Sequence, residues 1–215
     1  MAAPPVTGGV RHDQRRRRRV PVARQERAEQ TRHRLIDAAA IEFAAHGYAG
    51  TSLHGIVRAA GLTMGALTFH FPSKSALAEA VCEAGAAATR EVVSGAATAR
   101  GVDGVLGQAL ALAEAFATTP RMHAAARLAR EGLSRVDWYA SWVPELRTGL
   151  ERVWREERVE SELTPGMVTA LLAYVLVAVE ATAETGDDLA AAVGGSGRDV
   201  LPQAIKALRG LIPGA

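Results

Sequence analysis

The chain has 215 residues, enough for one large domain or for a small domain beside a larger one. Aromatics make up only 5% against 48% hydrophobic residues overall, so alanine and leucine must build most of the core, which favours helices over strands. The net charge of +2 hides an asymmetry: residues 1–34 hold ten arginines against Asp13, Glu26 and Glu29, while the rest is net acidic, so a polyanion is the expected partner of the N-terminal end.

Residues 1–22 combine Pro, Gly and the run Arg15 to Arg19 without apolar periodicity. They read as a disordered arm, either a solvated tail or one that adds phosphate or minor-groove contacts. From about Glu26 a helix is expected, with Leu35, Ile36, Ala39, Ala40 and Phe43 on one face and Gly47 as its C-terminal cap. Thr51 or Ser52 then caps a short helix, "LHGIVRAA", that ends at Gly61. Thr63 caps a third, "MGALTFH", which Pro72 stops, and Ser73 opens a long fourth helix. Two short helices joined by a tight Ala-Gly-Leu turn make a helix-turn-helix layout.

Everything after residue 73 reads as helical, over 73–98, 103–118, 121–134, 140–160, 165–185 and 198–211. Cys82 is the one cysteine, which excludes an intramolecular disulfide and a CxxC metal site; in its alanine-rich run it reads as a buried thiol. The most apolar run, Met167 to Ala183, contains Glu180 and is short for a bilayer, so a buried helix is expected rather than a membrane span. With no apolar segment behind the N-terminal arginines, a soluble cytoplasmic protein is expected. "VGGSG", Val193 to Gly197, lacks the phosphate-loop pattern and reads as a linker. No HExxH, GxSxG or nucleophile–base spacing points to an enzyme, and no catalytic residue, metal ligand or cofactor is expected.

Residues 27–81, with Thr31-Arg32, Ala38-Ala39, Phe43, Gly47, Thr51, Ile56, Ala60-Gly61, Gly65, Phe69-His70-Phe71 and Lys74, resemble the DNA-binding domain of the tetracycline-repressor (TetR) family. The resemblance implies an all-α fold: a helix-turn-helix domain over 23–72 and a larger helical ligand-binding and dimerisation domain over 73–215. It implies a homodimer that binds double-stranded operator DNA and answers a small-molecule effector. In the DNA-binding half, Gly65 and Ala66 are small enough to let the backbone approach a groove, Thr68 lies on the groove side, and Thr63 can meet phosphate at a helix N-terminus. Lys74, Thr51, Ser52, Arg32 and Arg24 are further backbone contacts. His70 serves either a phosphate or the packing between helices. Leu67 and Phe71 are expected in the core, and Phe69 is open to the same placement. Met64 and Thr68 depart from the pattern, since relatives often carry Lys and usually Tyr at these places, so a different operator is expected.

"GALTFHFPSKSALAEAV", "ARLAREG" and "WYASW" look like the γ-butyrolactone-receptor branch of filamentous actinomycetes. There a tryptophan at the start of the seventh helix lines the effector pocket, the place that Trp142 matches. A flat ring with an N–H donor suits a lactone or furan, though Trp142, like Trp154, also reads as a core residue. Trp138, Tyr139, Met122, Arg127, Thr169 and Tyr174 are the further pocket candidates. The implied function is a repressor of antibiotic or secondary-metabolite genes, released by a butyrolactone, butenolide or furan. The alternative is a pseudo-receptor or efflux-type repressor that answers an antibiotic or other hydrophobic compound.

Overall fold

The computed structural model describes the backbone of residues 14–96, 100–185, 197–210 and 212, and side chains over 24–96, 100–181, 202–210 and at 212. Among the described residues all regular structure is helical: α1 (Gln14–Gly50), α2 (Leu53–Ala60), α3 (Met64–His70), α4 (Lys74–Gly95), α5 (Gly101–Thr118), α6 (Pro120–Arg130), α7 (Val143–Glu156), α8 (Pro165–Thr185) and α9 (Gly197–Gly210), with a 3₁₀ turn at Tyr139–Ser141. Most of the expected boundaries hold, because Pro120, Pro165 and Gly101 stand at or next to helix starts. The linker expected over Val193 to Gly197 lies almost wholly outside the described residues.

The Arg-rich arm departs from expectation. The backbone is helical from Gln14, not from about Glu26, and arginine's high helix propensity lets α1 run back through the run Arg15 to Arg19. At the other end Gly47, the expected cap, takes φ 66°, ψ −179° and breaks the helical path, a conformation essentially reserved for glycine.

Each short helix carries its own cap. The Ser52 hydroxyl accepts from Gly55 N at 3.0 Å, Thr63 from Ala66 N at 3.2 Å, and Ser73 from Ala76 N at 3.1 Å. Gly61, in the left-handed region at φ 61°, closes α2, and the Leu62 amide returns to the Val57 carbonyl at 2.9 Å. The Arg34 guanidinium donates to the Ala60 carbonyl at 2.7 Å, placing a positive charge at the C-terminal end of α2.

Two cores share α6, and α4 runs from one to the other, with Leu77 and Val81 in the first and Val93 in the second. The N-terminal core holds Leu35, Ile36, Phe43, Ile56, Leu67, Phe71, Leu77 and Val81, and also Ala124 and Leu128 of α6. The C-terminal core holds Leu106, Leu112, Phe116, Trp138, Trp142, Leu146 and Leu172, and also Met122, Ala125 and Ala126 of α6. So α6 is buried on two faces. Gly85 of α4 lets it come close: a Cβ built there would overlap the Arg121 carbonyl and the Ala125 methyl. Among the described residues no helix is long and apolar enough to cross a membrane.

Candidate nucleic-acid interface and effector pocket

On α3 the buried side is fixed by Leu67, which is fully buried. At about 100° per residue, Gly65 and Phe69 fall almost opposite Leu67, flanked by Ala66 and Thr68. The exposure follows this wheel: Gly65, Thr68 and Phe69 are exposed, and Phe69 reaches 80%. The reading in which Phe69 joins the core is therefore corrected. Two residues from Leu67 on a helix, it has to point the other way. That spacing was the signal for a surface residue the sequence reading missed.

Other residues of the expected interface divide. Ser52 and Thr63 are exposed caps at the starts of α2 and α3. Arg24 is exposed on α1. The Arg32 guanidinium lies 5.4 Å from the centroid of the Phe71 ring, and Lys74 Nζ lies 4.4 Å from that of Tyr48, so aromatic faces hold both cations at the rim of α3. His70 is half-buried, with its ring edge-on to Phe69 at 5.0 Å. Two residues fall away from the surface. Thr51 is buried, and its hydroxyl bonds the Gly47 and Glu42 carbonyls at 2.7 and 3.0 Å, so it ties the α1–α2 corner instead of meeting phosphate. Met64 is half-buried against the N-terminal core, one step round the wheel from Leu67.

In the C-terminal core Phe116, Trp138, Tyr139 and Trp142 form one aromatic cluster. The two indoles meet edge to face at 5.6 Å, and Phe116 lies 5.1 and 6.2 Å from them. The 3₁₀ turn Tyr139–Ser141 brings them together, and Trp142 stands as the N-cap residue of α7. Met122 belongs to the same core, and Tyr139 covers the indoles from the surface side, 38% exposed. Both indole Nε1 atoms are buried without a hydrogen-bond partner. Each such donor costs about 1–3 kcal/mol unless something supplies an acceptor.

Three pocket candidates are placed elsewhere. Tyr174 is 75% exposed on α8, in a stripe with Met167, Ala170 and Leu171 on the side away from the core. Thr169 is buried, but its hydroxyl donates to the Pro165 carbonyl of its own helix at 2.7 Å. Arg127 turns from the aromatic cluster toward α1, where Nη1 donates to the Ala44 carbonyl at 2.9 Å and Nε to Glu131 at 3.2 Å. Trp154 packs at the edge of the C-terminal core.

Arg127 belongs to a set of polar contacts that clamp α6 to α1. Glu131 accepts from the Tyr48 amide at 2.9 Å, beside Gly47, and Arg121 pairs with Asp37 at 2.6 Å. On another side of α6, Arg130 pairs with Glu180 of α8, whose carboxylate is buried, and His123 lies 3.6 Å from the same group. A further cleft of about 330 Å³ lies between α5, α8 and α9, lined by Leu110, Ala113, Ala117, Val179 and Pro202 among others; neither indole borders it.

The family model for bacterial regulatory proteins of the tetR family matches residues 35–81, which carry α2, α3 and the caps just described. The A-factor receptor protein of Streptomyces griseus is 30% identical over 186 residues, 84% of this chain. Residues 35–81 belong to the tetR family of bacterial regulatory proteins. Within it the likeness is to the γ-butyrolactone-receptor branch. A crystal structure of a γ-butyrolactone receptor (ArpA-like protein) superposes with a TM-score of 0.67 at 26% identity, covering 87% of this chain and 90% of that one. The tetR-family protein CprB of Streptomyces coelicolor, in complex with its biological operator sequence, superposes with a TM-score of 0.58 at 29% identity over 66% of this chain and 74% of that one. The match to the A-factor receptor covers 66% of that protein's length, just under two thirds.

Proposed function

We propose that this tetR-family protein is a dimeric transcriptional repressor in the cytoplasm, released from operator DNA by a small oxygen-bearing effector of the butyrolactone, butenolide or furan class. Residues 23–72 would carry the DNA contacts and residues 73–215 the pocket and the dimer face. The observation that carries this reading is α6, which serves both cores. The indole cluster borders Met122, Ala125 and Ala126, and the DNA-binding core takes Ala124 and Leu128 of the same helix. An effector that needs room among the indoles must displace α6, and the clamps at Asp37, Ala44 and Tyr48 carry that displacement to α1. DNA affinity then falls by linkage, because the effector and the operator favour different spacings of two recognition helices that must sit about 34–36 Å apart.

The two buried N–H donors favour an effector with carbonyl or ether oxygens over a hydrocarbon. The apolar stripe on α8 supports a second copy as the partner that covers it.

The test is a gel shift on the promoter of the protein's own gene, with butyrolactone, butenolide and furan extracts and with antibiotics added in separate lanes. Release by the first group and not by antibiotics is expected; release by antibiotics alone would establish the pseudo-receptor alternative. Trp142→Phe keeps an aromatic ring and deletes the donor. It should raise the effector concentration needed for release about tenfold, the factor for about 1.4 kcal/mol, and leave operator affinity unchanged. Unchanged release in this variant would remove Trp142 from the pocket.

A further inference from the structure

We propose that α3 reads its operator through thymine methyl groups, with Phe69 as the principal contact and Thr68 beside it; this rests on the DNA-binding reading above. In the major groove each base pair shows a distinct set of groups. Guanine offers two acceptors, adenine an acceptor and a donor, cytosine a donor, and thymine an acceptor and the C5 methyl. Side chains that read the polar groups are Arg, Lys, Asn, Gln, Asp and Glu. None of these stands on the outward face of α3, which consists of Gly65, Ala66, Thr68 and Phe69.

The one hydroxyl on that face is already engaged. Thr68 Oγ1 lies 3.1 Å from the Met64 carbonyl and 3.2 Å from that of Gly65, so its proton serves the helix backbone and its methyl remains for an outside contact. Phe69 stands at the centre of the face, 80% exposed, with the His70 ring braced against its own ring. At Gly65, one turn earlier, a Cβ would meet nothing closer than 3.9 Å, so this end of the face is open to a close approach by DNA. The cations lie at the margins: Lys74 is held over Tyr48 and Arg32 over Phe71. Charge at the rim with an apolar centre divides the work. The rim supplies phosphate contacts and orientation, and the centre distinguishes a methylated pyrimidine edge from the other bases.

Thymine and uracil differ only in that methyl group, which gives a direct test. The full-length protein selects duplexes from a random-sequence pool, and the enriched duplex is resynthesised with deoxyuridine replacing thymine one position at a time. At one or two positions per half-site the replacement should weaken binding about fourfold, the factor equivalent to about 0.8 kcal/mol per buried methyl-sized group. Phe69→Ala should abolish the thymine-uracil difference at its position, and Phe69→Leu should retain part of it. Phe69 is exposed, so both variants should fold, as circular dichroism will verify. Equal binding of thymine and uracil duplexes at every position overturns the methyl reading and leaves DNA binding intact. A methyl effect that survives Phe69→Ala overturns the role of Phe69. Failure to enrich any duplex overturns the DNA-binding reading itself.

Discussion

The two cores of this protein leave different things unsatisfied. Around α2 and α3 the polar groups close on themselves: Ser52, Thr63 and Ser73 cap helices, Thr51 ties a corner, and Arg34 covers the end of α2. What that region leaves open is outside, an aromatic ring and a glycine on the face of α3. The C-terminal region leaves its open groups inside, as two indole N–H donors, and shows an apolar stripe outside on α8. A finished small core with an exposed face suits a surface ligand as large as DNA. A core with orphan donors and an uncovered helix suits a small effector and a second copy. The difference teaches that α6, which with α4 belongs to both cores, is where the two requirements meet.

Gly85→Val attacks that shared helix directly and should have the largest effect. A side chain there overlaps the Arg121 carbonyl and Ala125, so α4 and α6 must separate. Overpacking against backbone belongs at the upper end of its range, about 3 kcal/mol. Chemical denaturation followed by both tryptophan fluorescence and far-ultraviolet circular dichroism should show one cooperative transition at a lower midpoint. Two separate transitions, with the fluorescence one unmoved, would mean that α6 does not join the cores.

Leu171→Glu breaks the contrast on the outer side of α8. It puts a charge into the stripe of Met167, Ala170, Leu171 and Tyr174, and burying two such charges across a symmetric interface should weaken dimerisation about a hundredfold or more. Sedimentation velocity reads the shift from dimer to monomer, and the circular dichroism spectrum should hold. A dimer of unchanged strength would place the interface elsewhere.

The same contrast explains what was legible in the sequence. Around α2 and α3 each element has its own punctuation, a hydroxyl cap before and a glycine or proline after, so spacing located the helices, while the family resemblance supplied the interface candidates. The placement of Phe69, open on aromatic character alone, is decided by its position two residues from buried Leu67, which turns it outward. In the C-terminal region Trp138, Trp142 and Met122 lie together in the core, whereas Tyr174 lies on the outside. Nearly every residue of α8 is apolar, so the helix carries no polar face to mark the outward direction. Arg127 was assigned to the pocket because periodicity does not anticipate a helix with two buried faces. Thr51 was legible as a helix-start residue, but its two carbonyl partners come from the α1–α2 corner, which no local pattern spells out.

The smallest effect expected comes from Cys82, in the N-terminal core, and it tests how closed that core is. The thiol is almost wholly buried, and its pKa is pushed up from 9.0 to about 11, first by burial, then by Glu79 and Glu83, against a hydrogen bond with Ser134. The folded chain therefore keeps this proton more tightly than the unfolded chain. Below pH 9 the thiol is protonated in both states and its contribution is fully present. As pH rises from about 9 toward the folded value the unfolded chain ionises first, and that contribution is lost. Denaturation midpoints from about pH 8.5 to about pH 10.5 should fall more steeply for the native sequence than for Cys82→Ala, since the substitution removes this thiol alone. A thiol reagent at pH 8 should modify Cys82 only as fast as the chain opens. Equal slopes in the two proteins, with rapid modification of the folded chain, would show that solvent reaches the α1–α4–α6 contact, and the region described as closed would share the openness of its neighbour.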